Sequence, residues 1–235
     1  MASQLLAVTI DAREPARLGK FWASMLGRDT VEHVDAVLLP GDSAQLGLRF
    51  VTSPADKTGA NLGHLHLTSA TAADQQHIVD EALDLGARHL DVGQTPEEGH
   101  IVLADPEGNE FCVIEPGNVY LAGCGPLGEL ACDGPRHVGL FWSEALQWPL
   151  VWDQDQETAI QSPAGGTKIS WGGEPAAPAE VHRRLRLRLV TIGERDHEID
   201  RLVALGATRR RDRERRGVVL VDPGGNEFEV AGQQL

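Results

Sequence analysis

Apolar side chains recur at helical spacing in two places along the chain. Leu18, Phe21, Trp22, Met25 and Leu26 fall at i, i+3, i+4, i+7 and i+8, and Val138, Phe141, Trp142, Ala145 and Leu146 repeat the stripe. Each stripe opens near a proline, Pro15 or Pro135, whose fixed φ suits a first helical turn. Other segments alternate with a period of two, the signature of strands with one buried face. Leu6, Val8 and Ile10 alternate with Ala7, Thr9 and Asp11; Leu65 and Leu67 alternate with His64 and His66. Leu185, Leu187 and Leu189 alternate with Arg184, Arg186 and Arg188. Further helices are expected over 73–85 and around Ile199, Leu202 and Val203, each ending at a Leu-Gly-Ala triplet.

Two hairpin turns complete the pattern. Asp105-Pro106-Glu107-Gly108-Asn109-Glu110-Phe111 and Asp222-Pro223-Gly224-Gly225-Asn226-Glu227-Phe228 each lie between apolar runs. Pro presets φ early in such a turn, and Gly and Asn accept positive φ at its end. Phe21-Trp22 returns 120 residues later, Leu85-Gly86-Ala87 also 120 later, and Asp105 117 later. A repeat of about 110–120 residues follows, which sets the organisation before any single motif does. We expect one module over 1–117, a Gly/Pro-rich linker over 118–126 and a second module over 127–235. Within a module the order is strand, helix, strands, twice over.

Composition narrows the classes. Of 235 residues, 41% are apolar, enough for packed cores, and no apolar run approaches the ~18 residues of a membrane helix. The N-terminus lacks a secretory pattern, and three cysteines form neither an even framework nor a C-x-x-C pair, so a cytoplasmic location is expected. A net charge of −14 argues against nucleic acid as a partner. The run Arg209 to Arg216, six arginines and two acids, reads as a solvated sheet edge or an anion-binding rim.

The Phe-Trp helix, the His-x-His strand, the Leu-Gly-Ala helix end and the Asp-Pro-x-Gly-Asn-Glu-Phe hairpin together resemble the vicinal oxygen chelate superfamily. That superfamily includes glyoxalase I, extradiol dioxygenases and bleomycin-binding resistance proteins. The resemblance covers nearly the whole chain and implies an α+β fold of two tandem modules. Each would be two βαβββ units forming a curved, cup-shaped mixed sheet with helices on its outer face. Large apolar residues must face the helices, so their neighbours face the cup. Ala7, Thr9, Asp11, His64, His66, Cys112 and Ile114 are then expected in the first cup. Leu127, Glu129, Ala131, Arg184, Arg186, Arg188 and Glu229 are expected in the second.

Metal-dependent members of the superfamily place a His on the first strand, a His on the fifth and a Glu on the last. Those positions fall on Ala7, His66 and Cys112 in the first module, and on Leu127, most readily Arg186, and Glu229 in the second. A guanidinium cannot ligate a metal and is expected to pair with Glu229. The usual set is broken in both modules, and no resident metal is expected. His64, His66, Cys112 and Glu129 are the one set that could hold an ion.

The expected function is metal-independent binding of a small, aromatic or natural-product-like ligand, with Trp152 and Trp171 as candidate walls. The alternative is a lyase, isomerase or hydrolase with a noncanonical site at His64 and His66, His66 being the candidate general base. A monomer with an internal pseudo-dimer, or a homodimer, is expected. A further possibility is that one cup is filled by its own Arg–Glu network and only stabilises the other.

Overall fold

The computed structural model describes residues 3–95, 97–173, 184–210 and 218–232. Four units follow one another. The first holds β1 (Gln4–Ala12), α1 (Pro15–Leu26), β2 (Val31–His33), β3 (Ala36–Leu39) and β4 (Leu48–Thr52). The second holds β5 (Gly63–Leu67), α2 (Ala72–Asp84), β6 (Arg88–His89), β7 (Ile101–Ala104) and β8 (Glu110–Val113). The third holds β9 (Leu127–Asp133), α3 (Arg136–Leu146), β10 (Leu150–Gln154), β11 (Glu157–Gln161) and β12 (Lys168–Gly172). The fourth holds β13 (Leu185–Val190), α4 (Arg195–Ala204), β14 (Thr208–Arg209), β15 (Val218–Val221) and β16 (Glu227–Ala231). In every unit the first strand pairs in parallel with the last: β1 with β4, β5 with β8, β9 with β12, β13 with β16.

The α+β architecture of tandem βαβββ units is present, but the units do not pair by module. The first sheet runs β14-β15-β16-β13-β1-β4-β3-β2, joining units one and four. The second runs β10-β11-β12-β9-β5-β8-β7-β6, joining units three and two. The central joints are antiparallel, β1 with β13 and β5 with β9. This corrects the expected grouping of cup residues. Ala7, Thr9 and Asp11 share a face with Arg186, Arg188 and Glu229, whereas Glu129 and Ala131 share one with His64, His66 and Cys112. Side-chain parity decides which face a residue occupies. It carries no information about which strand, some 60 or 180 residues away, becomes the neighbour.

Modules stay joined through the helices. The helix-facing sides of both sheets and helices α1 to α4 contribute to one core, with Trp22, Phe111, Trp142, Trp171 and Phe228 fully buried in it. The repeated hairpin has a specific task there. Asp105 Oδ1 accepts the backbone N–H groups of Glu107 and Asn109 at 2.9 Å, and its Oδ2 accepts the Trp22 indole N–H at 3.2 Å. Asp222 does the same with Gly224, Asn226 and the Trp142 indole, the last at 3.0 Å. The Phe-Trp pairs are thus core and latch, tying each module's first helix to its last hairpin. Gly139 lets α3 close on its sheet, since a Cβ there would overlap Thr158. Gly19 does the same for α1 against Val37.

No helix among the described residues is long and apolar enough to cross a membrane. Of the basic run, Arg209 ends the edge strand β14, and residues 211–216 lie outside the described residues.

Candidate functional site

The two cup faces have different contents. On the first sheet Thr9 lies opposite Arg186 and Ala7 opposite Arg188, with Glu229 beside Arg188 on the next strand. Arg186 donates to Glu229 Oε1 through Nε and to Asp11 Oδ1 through Nη1, both at 2.7 Å. Arg188 also reaches the second oxygen of Glu229. Arg184 donates to the Asp11 carbonyl at 2.7 Å and to Glu107 Oε2 at 2.8 Å. Burial opposes the charge on Arg186, but Asp11 and Glu229 outweigh it and raise its pKa. Burial likewise opposes the charge on Glu229, and the bond from Arg186 outweighs it, so the carboxyl is held below its ordinary value. Both residues are buried, as are Thr9, Asp11 and Arg184. The face is packed with paired charges. Ala7 and Thr9, expected in one cup with the histidines, instead lie opposite these arginines.

The register also corrects one position. In the second sheet His66 faces Glu129 on one side and Cys112 on the other. The matching place in the first sheet belongs to Arg188, between Ala7 and Glu229, rather than to Arg186. The reason is length: α4 has 10 residues where α2 has 13, so counting back from the shared Leu-Gly-Ala end overshoots.

On the second sheet β5 presents His64 and His66 side by side, ring centroids 4.7 Å apart. His66 Nδ1 lies 2.8 Å from Glu129 Oε2, and the Tyr120 hydroxyl donates to Glu129 Oε1 at 2.8 Å. One donor atom from each of His64, His66 and Cys112 lies within 4.8 Å of the others. Beyond them the face opens into a cavity of about 490 Å³ bordered by Tyr120, Ala131, Trp152 and Ser170. Trp152 is 38% exposed and meets Tyr120 edge-on, centroids 5.9 Å apart. Lys168 stands 4.0 Å above the Tyr120 ring and donates to the Tyr120 carbonyl. Trp171 differs from Trp152. It alternates to the helix side and stacks on Trp142 at 6.4 Å, so its indole is core rather than an aromatic wall. Ile114 packs with Cys112, Val102, Leu121 and Cys124 under the linker.

These contacts set the protonation of the site. Burial, then the neighbouring His66, pushes His64 down to about 4. Burial also pulls on His66, but hydrogen bonds to Cys112 and Glu129 outweigh it and lift it to about 9. Glu129 is held below its ordinary value because the His66 hydrogen bond and charge outweigh burial. Burial, then the Glu129 charge, raises Tyr120 well above an ordinary phenol. Near neutrality the face therefore carries a neutral His64 beside a His66–Glu129 ion pair closed by a phenol O–H.

The divalent metal that the resemblance implies does not suit the first face, where guanidinium groups occupy the positions between Asp11 and Glu229. The second face does suit one: two imidazoles and a thiol converge there, with a carboxylate behind His66. Sequence reasoning named His64, His66, Cys112 and Glu129 but missed Tyr120, Lys168 and Ser170. Tyr120 is the chain's one tyrosine and lies in the Gly/Pro-rich stretch read as a linker. An aromatic residue in such a stretch was the available signal.

The chain matches a family model described as a glyoxalase-like domain twice, over residues 7–114 and 129–231. No curated protein sequence matches it significantly. Among solved structures it is similar to glyoxalase I from Zea mays, with a TM-score of 0.69 at 14% identity, covering 98% of this chain and 92% of that one. It is also similar to a putative dioxygenase from Bacillus subtilis, with a TM-score of 0.64 at 12% identity, covering 100% and 86%. At such identities the likeness concerns the fold, which among the described residues has two eight-stranded sheets and four helices. With both halves matched by the same model, the chain belongs to the glyoxalase-like domain family of the vicinal oxygen chelate superfamily.

Proposed function

We propose that the chain binds a small organic molecule with an aromatic or conjugated part in the second-sheet cup, and that the first-sheet cup is structural. The observation that carries this reading is the contrast between the faces. One is closed by buried Arg–carboxylate pairs; the other opens into a cavity of about 490 Å³ with His64, His66, Glu129, Tyr120 and Trp152 at its wall. Trp152 offers an apolar surface with a polar edge. A neutral His64 can donate or accept a hydrogen bond, which suits an uncharged polar group on the ligand.

A second reading, acid–base chemistry on the bound molecule, is supported by the chain of contacts from His66 through Glu129 to Tyr120. The roles would differ from those expected of the sequence. His66, lifted to about 9, is poised as an acid, and His64, pushed down to about 4, as the base. With an ion held by His64, His66 and Cys112, both imidazoles would instead be neutral ligands, and Lewis acidity toward a ligand oxygen would replace their acid and base roles.

Thermal-shift screening of the full chain against a library of aromatic carbonyl and phenolic compounds tests the binding reading. Stabilisation by a hit should disappear in Trp152→Ala and His64→Ala and survive in Arg188→Ala. Survival in the first two variants with loss in the third would place the ligand in the other cup and overturn the reading.

A further inference from the structure

The resemblance implies a site of imidazole and carboxylate ligands, a set that favours iron, manganese or nickel as readily as zinc. This chain has assembled something else. His66 and Cys112 face each other in register on β5 and β8, and His64 lies two residues along β5. One donor atom from each falls within 4.8 Å of the other two. A tetrahedral ion with metal–nitrogen bonds of about 2.0–2.1 Å and a metal–sulfur bond of about 2.3 Å sets its donors about 3.3–3.7 Å apart. Side-chain movements of about an ångström would bring these three donors to that spacing.

Two independent features suit the cluster to an ion. First, Glu129 Oε2 sits 2.8 Å from Nδ1 of His66, so Nε2 is the ring nitrogen that would ligate, in place of the hydrogen bond between His66 and Cys112. A carboxylate accepting the far N–H is the usual outer partner of a ligating imidazole, fixing its tautomer and raising its basicity. Glu129 is itself fixed by the Tyr120 hydroxyl at 2.8 Å. Glu129 therefore acts behind His66, not as a ligand. Second, the cluster opens on one side to the cavity, so three protein donors leave a fourth position for water or ligand.

We propose that His64, His66 and Cys112 hold one thiophilic divalent ion, zinc in preference to magnesium or manganese, with Glu129 and Tyr120 orienting His66 from behind. The thiol decides the selectivity. Thiolate and imidazole donors suit zinc and cobalt, whereas magnesium and manganese prefer oxygen. The proposal rests on the second-sheet face being the working cup, and it departs from the expectation of no resident metal.

The test is a cobalt titration of the full chain after dialysis against EDTA, read by absorbance. One equivalent of Co²⁺ should produce a near-ultraviolet sulfur-to-cobalt charge-transfer band together with strong visible bands of a tetrahedral ion. Zinc should erase both stoichiometrically, while millimolar magnesium or manganese should leave them. Cys112→Ser should abolish the near-ultraviolet band, and Cys124→Ser should retain it. Glu129→Gln should keep the band but weaken affinity about 10–100-fold. His64→Ala, a second variant at a half-buried position, should lose the tetrahedral bands even if Cys112→Ser folds poorly. Absence of a saturable band at one equivalent, or a band that survives Cys112→Ser, would overturn the site. An aromatic hit that still stabilises the EDTA-treated protein while cobalt fails to bind would sink the ion and leave the ligand pocket standing.

Discussion

The two cup faces are built on one plan and filled in opposite ways. Along the register, Glu129, His66 and Cys112 on one sheet occupy the places of Ala7, Arg188 and Glu229 on the other. On the first-sheet face Arg186 pairs with the buried carboxylates of Asp11 and Glu229, and Arg188 also pairs with Glu229. The second-sheet face surrounds the His66–Glu129 ion pair with a neutral imidazole, a thiol and a phenol. A duplicated fold thus separates two demands that one face meets poorly together. Fixed paired charges rigidify a sheet, whereas an open set of donors can receive a ligand.

The largest effect should come from unpairing the closed face. Arg186→Met leaves Asp11 and Glu229 buried without their shared cation, at a cost of about 3–5 kcal/mol. For a chain of this size each kcal/mol corresponds to about 2–4 °C in melting temperature, so a fall of roughly 10 °C is expected by circular dichroism. A fall no larger than that of the exposed control Glu194→Gln would show that the network does not hold the face.

A middle-sized effect should follow from the ion pair of the open face. Glu129→Gln weakens a hydrogen bond to a charged group, an expected loss of about 1.5–3 kcal/mol at pH 7 in EDTA-dialysed protein. The same pair predicts opposite pH dependences for the two histidines. His66 titrates higher in the folded chain, at about 9, than in the unfolded one, near 6.5. Its contribution is complete below pH 6.5 and is lost as pH rises through 9. His64 titrates lower, at about 4, so its folded site resists the proton that the unfolded chain accepts, and stability falls as pH drops from 6.5 to 4. Urea midpoints measured across pH 4–9 should flatten at the alkaline end in His66→Gln and at the acid end in His64→Gln. Unchanged slopes in either variant would remove that histidine from the account.

The smallest stability effect is expected at Trp152. Its indole is 38% exposed, so Trp152→Ala should cost only about 1–2 kcal/mol while removing the aromatic wall. A loss above 3 kcal/mol would make the residue structural and weaken the case for the cup.

Much of the fold was legible because local physics and repetition agreed. The Phe-Trp stripe, the period-two strands and the hairpin turns each fix a local conformation, and their recurrence fixed the module. The Trp–Asp latch was not legible: Trp22 and Asp105 stand 83 residues apart, and only the folded core shows that their repetition is one interaction. Parity placed Glu129, His66, Cys112, Arg186 and Glu229 on cup faces but could not say which faces met. That choice rests on the long-range joints β1–β13 and β5–β9, where alternating apolar residues of any of the four first strands would pack acceptably. Tyr120 stayed hidden because composition marks its segment as a connection, and a connection can also serve as a wall.

Side-chain NMR of the full chain labelled with nitrogen-15 tests the central claim most directly, because it reports both faces in one sample. Histidine ring nitrogens and arginine Nε–H groups are followed while zinc, or a thermal-shift hit, is added to saturation. Of the nine histidines, His64 and His66 should shift first and saturate together, while the Arg186 and Arg188 Nε–H signals stay in place. Saturable shifts at Arg186 and Arg188, with His64 and His66 unmoved, would contradict the account and make the closed face the working one.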